Sequence, residues 1–91
     1  MLERDVKKSL KEYLTKIGAY QFWPVPTGFG ATTVDCLFCH KGRFFGVETK
    51  RPGAKATIRQ KITMNLIELA GGDACLEDSP ALLTVKEMLG E

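Results

Sequence analysis

Val34-Asp35-Cys36-Leu37-Phe38-Cys39-His40-Lys41-Gly42-Arg43-Phe44-Phe45-Gly46-Val47-Glu48-Thr49-Lys50 is the stretch around which the rest of the chain is organised. Two apolar, β-rich runs flank the polar pair Lys41-Gly42, and the Gly supplies the positive φ that a tight hairpin turn demands. A turn centred there sets Asp35 directly opposite Glu48. Side chains alternate along a strand, so Lys50 projects on the same face as Glu48 while Thr49 points to the other. Opposed residues have Cβ atoms roughly 4.5 to 5.5 Å apart, a spacing at which two like charges destabilise the pair. A divalent cation between them relieves that repulsion, and the neighbouring ammonium of Lys50 can hold a water or an oxyanion beside it. The competing reading, two loop-end acids in solvent, leaves the predicted register without a purpose.

Upstream, residues 2–17 carry Leu2, Val6, Leu10, Tyr13, Leu14 and Ile17 as one stripe of a helix that Gly18 stops. At about 100° per residue, Glu3 lies within roughly 50° of the centre of that stripe and is expected to point inward. An acid on the rim of a buried face is costly unless it binds something, although a first-turn Glu also complements the helix dipole. Arg4, Lys7, Lys8, Lys11 and Lys16 take other sides of this helix, where they touch phosphates or keep the surface soluble. Residues 19–25 form a first strand ended by Pro24 and Pro26. Thr27-Gly28-Phe29-Gly30-Ala31-Thr32 is a loop that delivers the chain to Asp35; no helix follows it, so it is not a phosphate-binding fingerprint. Trp23 and Phe29 are read as core aromatics before they are read as base-stacking platforms.

Cys36-Leu37-Phe38-Cys39-His40 matches the haem-attachment pattern and half of a zinc site. In a strand, residues three apart point to opposite faces, so these two thiols cannot share one metal. An odd number of cysteines also argues for reduced thiols. Beyond Lys50, the segment Arg51-Pro52-Gly53 breaks the strand, and Thr57 with Gln60 has capping-box spacing for a helix that runs to Ala70 and ends at Gly71-Gly72. A strand at 74–77 follows, and Ser79-Pro80 is expected to start a last helix reaching about residue 89. Ile58, Ile62, Leu66 and Leu69 line one side of the helix after Thr57, while Met64 and Ile67 lie on the side of Gln60. Only one of these faces can meet the sheet; the other is spare for a partner.

The chain of 91 residues is expected to be a single domain, residues 1–91, of α/β class in the order α-β-β-β-α-β-α. Its net charge is +2, unevenly spread. Residues 49–67 hold Lys50, Arg51, Lys55, Arg59 and Lys61 with no acid, whereas residues 68–91 hold Glu68, Asp73, Glu77, Asp78, Glu87 and Glu91 against Lys86 alone. A basic block beside a cation site suits a polyanion such as nucleic acid. The start of the chain has no long apolar run, which predicts a cytoplasmic protein without a membrane span.

An acid, a strand hairpin and then Glu-X-Lys resembles the PD-(D/E)XK nuclease core, here Val34-Asp35 and Glu48-Thr49-Lys50. More narrowly, a helix beginning with Glu3, a Gly-rich loop before Asp35 and Gln60 opening the next helix resemble the VRR-NUC (virus-type replication-repair nuclease) domain across residues 2–78. Where that family usually carries Pro before the aspartate, this chain has Val34. The resemblance implies a restriction-endonuclease-like core, a mixed β-sheet flanked by helices, that hydrolyses DNA phosphodiesters with Mg²⁺ or Mn²⁺. It implies Asp35, Glu48 and the backbone carbonyl of Thr49 as metal ligands, with Glu3 completing the site or holding a second ion. Lys50 would orient the attacking water or stabilise charge, and Gln60 would hydrogen-bond the phosphate or the metal-bound water. Arg51, Lys55 and Arg59 would touch the nucleic acid. Stand-alone members of the family are expected to be homodimers that resolve four-way Holliday junctions. The rivals are a monomeric nicking or flap nuclease, and a nucleic-acid-binding module without catalysis.

Overall fold

The computed structural model describes residues 2–25 and 33–91 of the chain, so the Gly-rich segment and Phe29 lie outside the described residues. The elements follow the expected order: α1 (Glu3–Ile17), β1 (Tyr20–Phe22), β2 (Cys36–His40), β3 (Arg43–Thr49), α2 (Ile58–Leu69), β4 (Asp73–Glu77) and α3 (Leu83–Leu89). The four strands form one mixed sheet in the order β1-β2-β3-β4. The first three are antiparallel, and β4 joins β3 in parallel through the α2 crossover. Helices flank both faces, the arrangement expected of a restriction-endonuclease-like core. Among the described residues no helix is long and apolar enough to cross a membrane.

The hairpin has the predicted register. Cys36 pairs with Val47, Phe38 with Phe45 and His40 with Arg43, closed by Lys41 and Gly42 at φ 50° and 79°. Two successive positive φ values define the type I′ turn, whose twist matches that of the flanking strands. Asp35 and Glu48 fall at the next position outward. Alternation also places Cys36 in the core and leaves Cys39 exposed, on opposite faces of the strand.

One face of the sheet packs on α1 and α3. Leu10 and Leu14 of α1, Cys36 and Phe38 of β2, Phe45 and Val47 of β3, and Leu82 and Val85 near α3 are all buried together. The Phe38 and Phe45 rings are stacked at 4.7 Å between centroids, a cross-strand aromatic pair. Gly18, at φ 77°, ends α1, and its amide and that of Ala19 bond back to Thr15 and Leu14. Trp23 packs at the edge of this core, its indole N–H donating to Gln21 Oε1 at 2.8 Å, so it serves packing.

The last helix begins later than Ser79-Pro80 suggests. Ser79 Oγ accepts only the amide of Ala81, and Leu82, at φ 57°, turns into the core at 3% exposure before Leu83 starts α3. The cap comes instead from β4. Glu77, fully buried, accepts the amides of Asp78 and Ser79 on Oε2 and that of Val85 on Oε1. A carboxylate with three N–H donors, one of them in the first turn of a helix, is a satisfied structural anion. The first strand is likewise shorter than predicted, three residues instead of residues 19–25.

The opposite face of the sheet carries α2. Gly46 is what lets it sit close: a Cβ there would lie 2.6 Å from Ile67 Cδ1 and 3.2 Å from Val34 Cγ2. The Ile67 methyl can swing aside, whereas the β-branched Val34 is stiff. Gly46→Ala is therefore expected to cost roughly 1–2 kcal/mol through overpacking, read as a lower urea midpoint at an unchanged slope. An unchanged midpoint would mean that α2 does not press on this strand.

Candidate carboxylate site

The site grows from the open end of the hairpin, where β2 has not yet begun and β3 is about to end. Asp35 precedes β2 by one residue and bends its carboxylate across to β3. Its Oδ2 accepts both the amide of Thr49, at 3.0 Å, and the Thr49 hydroxyl, at 2.9 Å. Thr49 is fully buried and its side chain lies on the far face from Glu48, as alternation requires. The structure thus joins Thr49 to Asp35 through its N–H and hydroxyl.

Glu48 sits in the centre of the sheet at 4% exposure. Its Oε1 accepts the Gln60 side-chain amide at 3.0 Å, while its buried Oε2 meets no N–H or hydroxyl donor among the described residues. Burial is the main force that pushes the Glu48 carboxyl up to about 8. Close approach of the Asp35 carboxyl, which can bond Glu48 only by sharing its proton, the charge of Asp35 and that of Glu3 act in the same direction, and Lys50 opposes them. The two acids that the register predicts to face each other do meet, and the cost appears on the more buried one.

Gln60 serves two roles at once. Its Oε1 accepts the amide of Thr57, and the Thr57 hydroxyl accepts the amide of Gln60, which completes the capping box; its Nε2 is left to reach Glu48. The capping interaction therefore fixes the rotamer that aims the amide at the carboxylate.

From the other side, the first turns of α1 bring in Glu3 and Lys7. The Lys7 ammonium lies 3.3 Å from Glu3 and 3.9 Å from Asp35, linking the helix to the carboxylate pair. Glu3 is half-exposed instead of pointing fully inward, and it contacts the pair through Lys7. The sequence pattern puts Lys7 among the basic residues on the other sides of the helix, to touch phosphates or keep it soluble. Its signal was the spacing of four residues from Glu3, which puts the two on one flank. Lys50 leaves β3 on the Glu48 side, its own amide anchored on the carbonyl of Glu77 at 3.0 Å. Arg51, Lys55 and Arg59 are exposed and beyond the site, the first two on the way to α2 and Arg59 in its first turn. None of the three forms an ion pair with a described residue.

Among the described residues no cluster of three or more His, Cys, Asp or Glu side chains lies in position to hold a metal ion. Two carboxylates meet, and the third acid is paired with Lys7. Mg²⁺ is nonetheless suited to such a donor set, since it takes one or two carboxylates and fills its other positions with water and substrate phosphate. The buried Oε2 of Glu48, without a donor and beside a second carboxyl, is the atom that a cation would satisfy. No protein-family model matches the chain, and no curated protein matches it either.

Proposed function

We propose that this protein is a metal-dependent phosphodiesterase, in which Asp35 and Glu48 hold Mg²⁺ or Mn²⁺. In particular, it is an endonuclease that acts on DNA, cutting four-way junctions as a homodimer in the cytoplasm. The observation that carries this reading is the meeting of the buried Glu48 carboxyl with the half-buried Asp35 carboxyl, where Glu48 Oε2 has no N–H or hydroxyl donor among the described residues and its pKa is pushed up to about 8. Structural acids in this fold are treated differently: Glu77 is equally buried and has donors on both oxygens. A site that leaves a carboxylate short of donors is built for a ligand.

When bound, the cation supplies a water of lowered pKa and neutralises charge that develops on the phosphorus centre. The chain's own residues do the positioning. Thr49 locks the Asp35 carboxylate with two donors, and Gln60 holds Oε1 of Glu48, so both acids are preorganised. Lys50, on the same face as Glu48, places an ammonium where the phosphate oxygens gain charge. Arg51, Lys55 and Arg59 form an exposed basic track that binds the backbone away from the reacting atoms. Glu3 completes the site if Lys7 turns to the phosphate.

A second reading is favoured by the absence of a three-acid cluster among the described residues: a nucleic-acid-binding module that does not cut. One experiment separates the two. Labelled four-way, flap and linear DNA are incubated with the protein in Mg²⁺, in Mn²⁺ or in EDTA. Paired cuts in the four-way junction, abolished by EDTA, are the expected result. Binding without cleavage in either metal would establish the module, and uncoupled nicks or flap cutting would point to a monomeric nuclease.

A further inference from the structure

The carboxylate site has few oxygens left to give. Asp35 Oδ2 accepts both the amide and the hydroxyl of Thr49, and Glu48 Oε1 accepts the Gln60 amide. One oxygen remains on each acid. Oε2 of Glu48 meets no N–H or hydroxyl donor among the described residues, and Oδ1 of Asp35 is approached by the Lys7 ammonium at 3.9 Å. Together these two oxygens supply one divalent ion, which fills its other positions with water and phosphate. In two-metal sites a second ion lies about 3.5–4 Å from the first. Here it would need Glu3 and the remaining lone pair of Asp35 Oδ1.

Both of those donors are already engaged. Glu3 Oε2 lies 3.3 Å from the same ammonium, so Lys7 stands between the acid of α1 and the acid that precedes β2. The backbone beneath it is fixed, because Val6 and Leu10 of the same helix are fully buried in the core. The first turn is capped by Asp5, whose Oδ2 accepts the amide of Leu2 at 2.8 Å. Charge favours the same arrangement. Glu3, Asp35 and Glu48 are opposed by Lys7 and Lys50, so a single divalent ion turns the ionised site from a slight negative charge to a slight positive one, which suits the single charge of a phosphodiester. A second ion would leave the site far in excess.

We infer that Lys7 is the built-in second cation of this site: its ammonium, held between Glu3 and Asp35, takes the place of a second metal ion, so the site loads one divalent ion per chain. The inference rests on the metal-binding reading of Asp35 and Glu48 and deepens it. Glu3 is then a partner of Lys7 and becomes a metal ligand only where the ammonium is gone. A tethered ammonium supplies positive charge and N–H donors to a phosphate oxygen without having to be recruited from solution.

The test uses the whole chain without DNA, so cleavage plays no part. Bound Mn²⁺ is counted from the loss of the free-ion paramagnetic resonance signal, up to about 1 mM free ion. Only ions that disappear on Asp35→Asn are counted, which sets adventitious binding aside. The wild type is expected to hold one such ion per chain. Lys7→Met, which removes the charge and keeps an unbranched side chain, is expected to hold two, and adding Glu3→Gln to it returns the count to one. Lys7→Arg keeps the charge and stays at one. Lys7 lies outside the buried core, so all these variants should keep the far-UV spectrum of the wild type. Two ions in the wild type, or one in Lys7→Met, overturn the inference. A wild type that holds no ion dependent on Asp35 removes the metal-binding reading itself, and the inference falls with it.

Discussion

Glu48→Gln is expected to abolish cleavage in Mg²⁺ and, in EDTA, to make the protein more stable than the wild type at pH 8. The two effects have one source. In the metal-free wild type the native state keeps the Glu48 proton up to about 8, whereas an unfolded glutamate releases it near 4.5. Between those values the native state binds a proton that the unfolded state does not, so the stability contributed by this group falls as pH rises through that window. Gln keeps the shape and stays neutral. Its carbonyl can still accept the Gln60 amide, and its own amide can donate to Asp35, so the pair is satisfied at every pH. The variant should match the wild type near pH 5 and exceed it at pH 8 by roughly 1–3 kcal/mol, less than the full pKa displacement because the native pair relaxes. For a domain of this size, each kcal/mol moves Tm by about 4–8 °C. Excess Mg²⁺ should narrow the gap, since a cation stabilises the ionised wild-type carboxyl and binds the amide poorly. Cleavage should fall on the order of 10²- to 10³-fold, the rate equivalent of losing several kcal/mol of metal-supplied stabilisation, while DNA binding holds or improves. Melting scans in EDTA at pH 5 and pH 8 are the direct check. A variant that loses stability at pH 8 would contradict the desolvated pair on which the site is built.

How far the site is legible in the sequence depends on whether each part is set locally. The hairpin is local: Lys41-Gly42 with alternating apolar residues on both sides leaves one comfortable register, and that register alone brings Asp35 to Glu48. The capping box at Thr57 and Gln60 is local too. Its second role is not, because the contact to Glu48 depends on how closely α2 approaches the sheet, which Gly46 sets. The start of α3 could not be read from Ser79-Pro80, because the burial of Leu82 and the cap from Glu77 are tertiary facts. Periodicity found both stripes of α2 but could not say which one faces inward. Gly46 and Gly72 admit Ile67 into contact with the sheet, and the richer aliphatic row is left outside. Lys7 stayed between phosphate contact and solubility for a similar reason: a lysine on a basic helix looks like any other until the start of β2 is placed beside it.

Lys50→Ala is expected to slow the chemical step by roughly 10²-fold or more while leaving DNA affinity within a small factor, which separates it from the exposed basic residues nearby. The structure holds this residue unlike its neighbours. Its amide is fixed on the carbonyl of Glu77, at the end of the parallel ladder between β3 and β4, so the backbone from which the side chain departs is rigid. Its ammonium favours the ionised form of Glu48 against burial and two other acids, and the residue is half-buried where Lys55 is exposed. A cation so placed acts on charge that grows during the reaction. An interaction made mainly in the transition state lowers kcat and kcat/KM together and leaves ground-state binding nearly untouched. The reverse holds for Lys55, which is exposed and outside the site: its loss should weaken binding and flatten the salt dependence with little effect on the single-turnover rate. Lys50→Ala also removes the group that favours ionised Glu48, so the carboxyl should titrate higher still, and in the metal-free variant the fall in stability, which starts at the same unfolded-state value, should continue to higher pH and become larger than in the wild type. Single-turnover cleavage at saturating protein, set beside equilibrium binding in EDTA, measures the two quantities separately. Equal losses in both for Lys50→Ala would reduce it to one more phosphate contact.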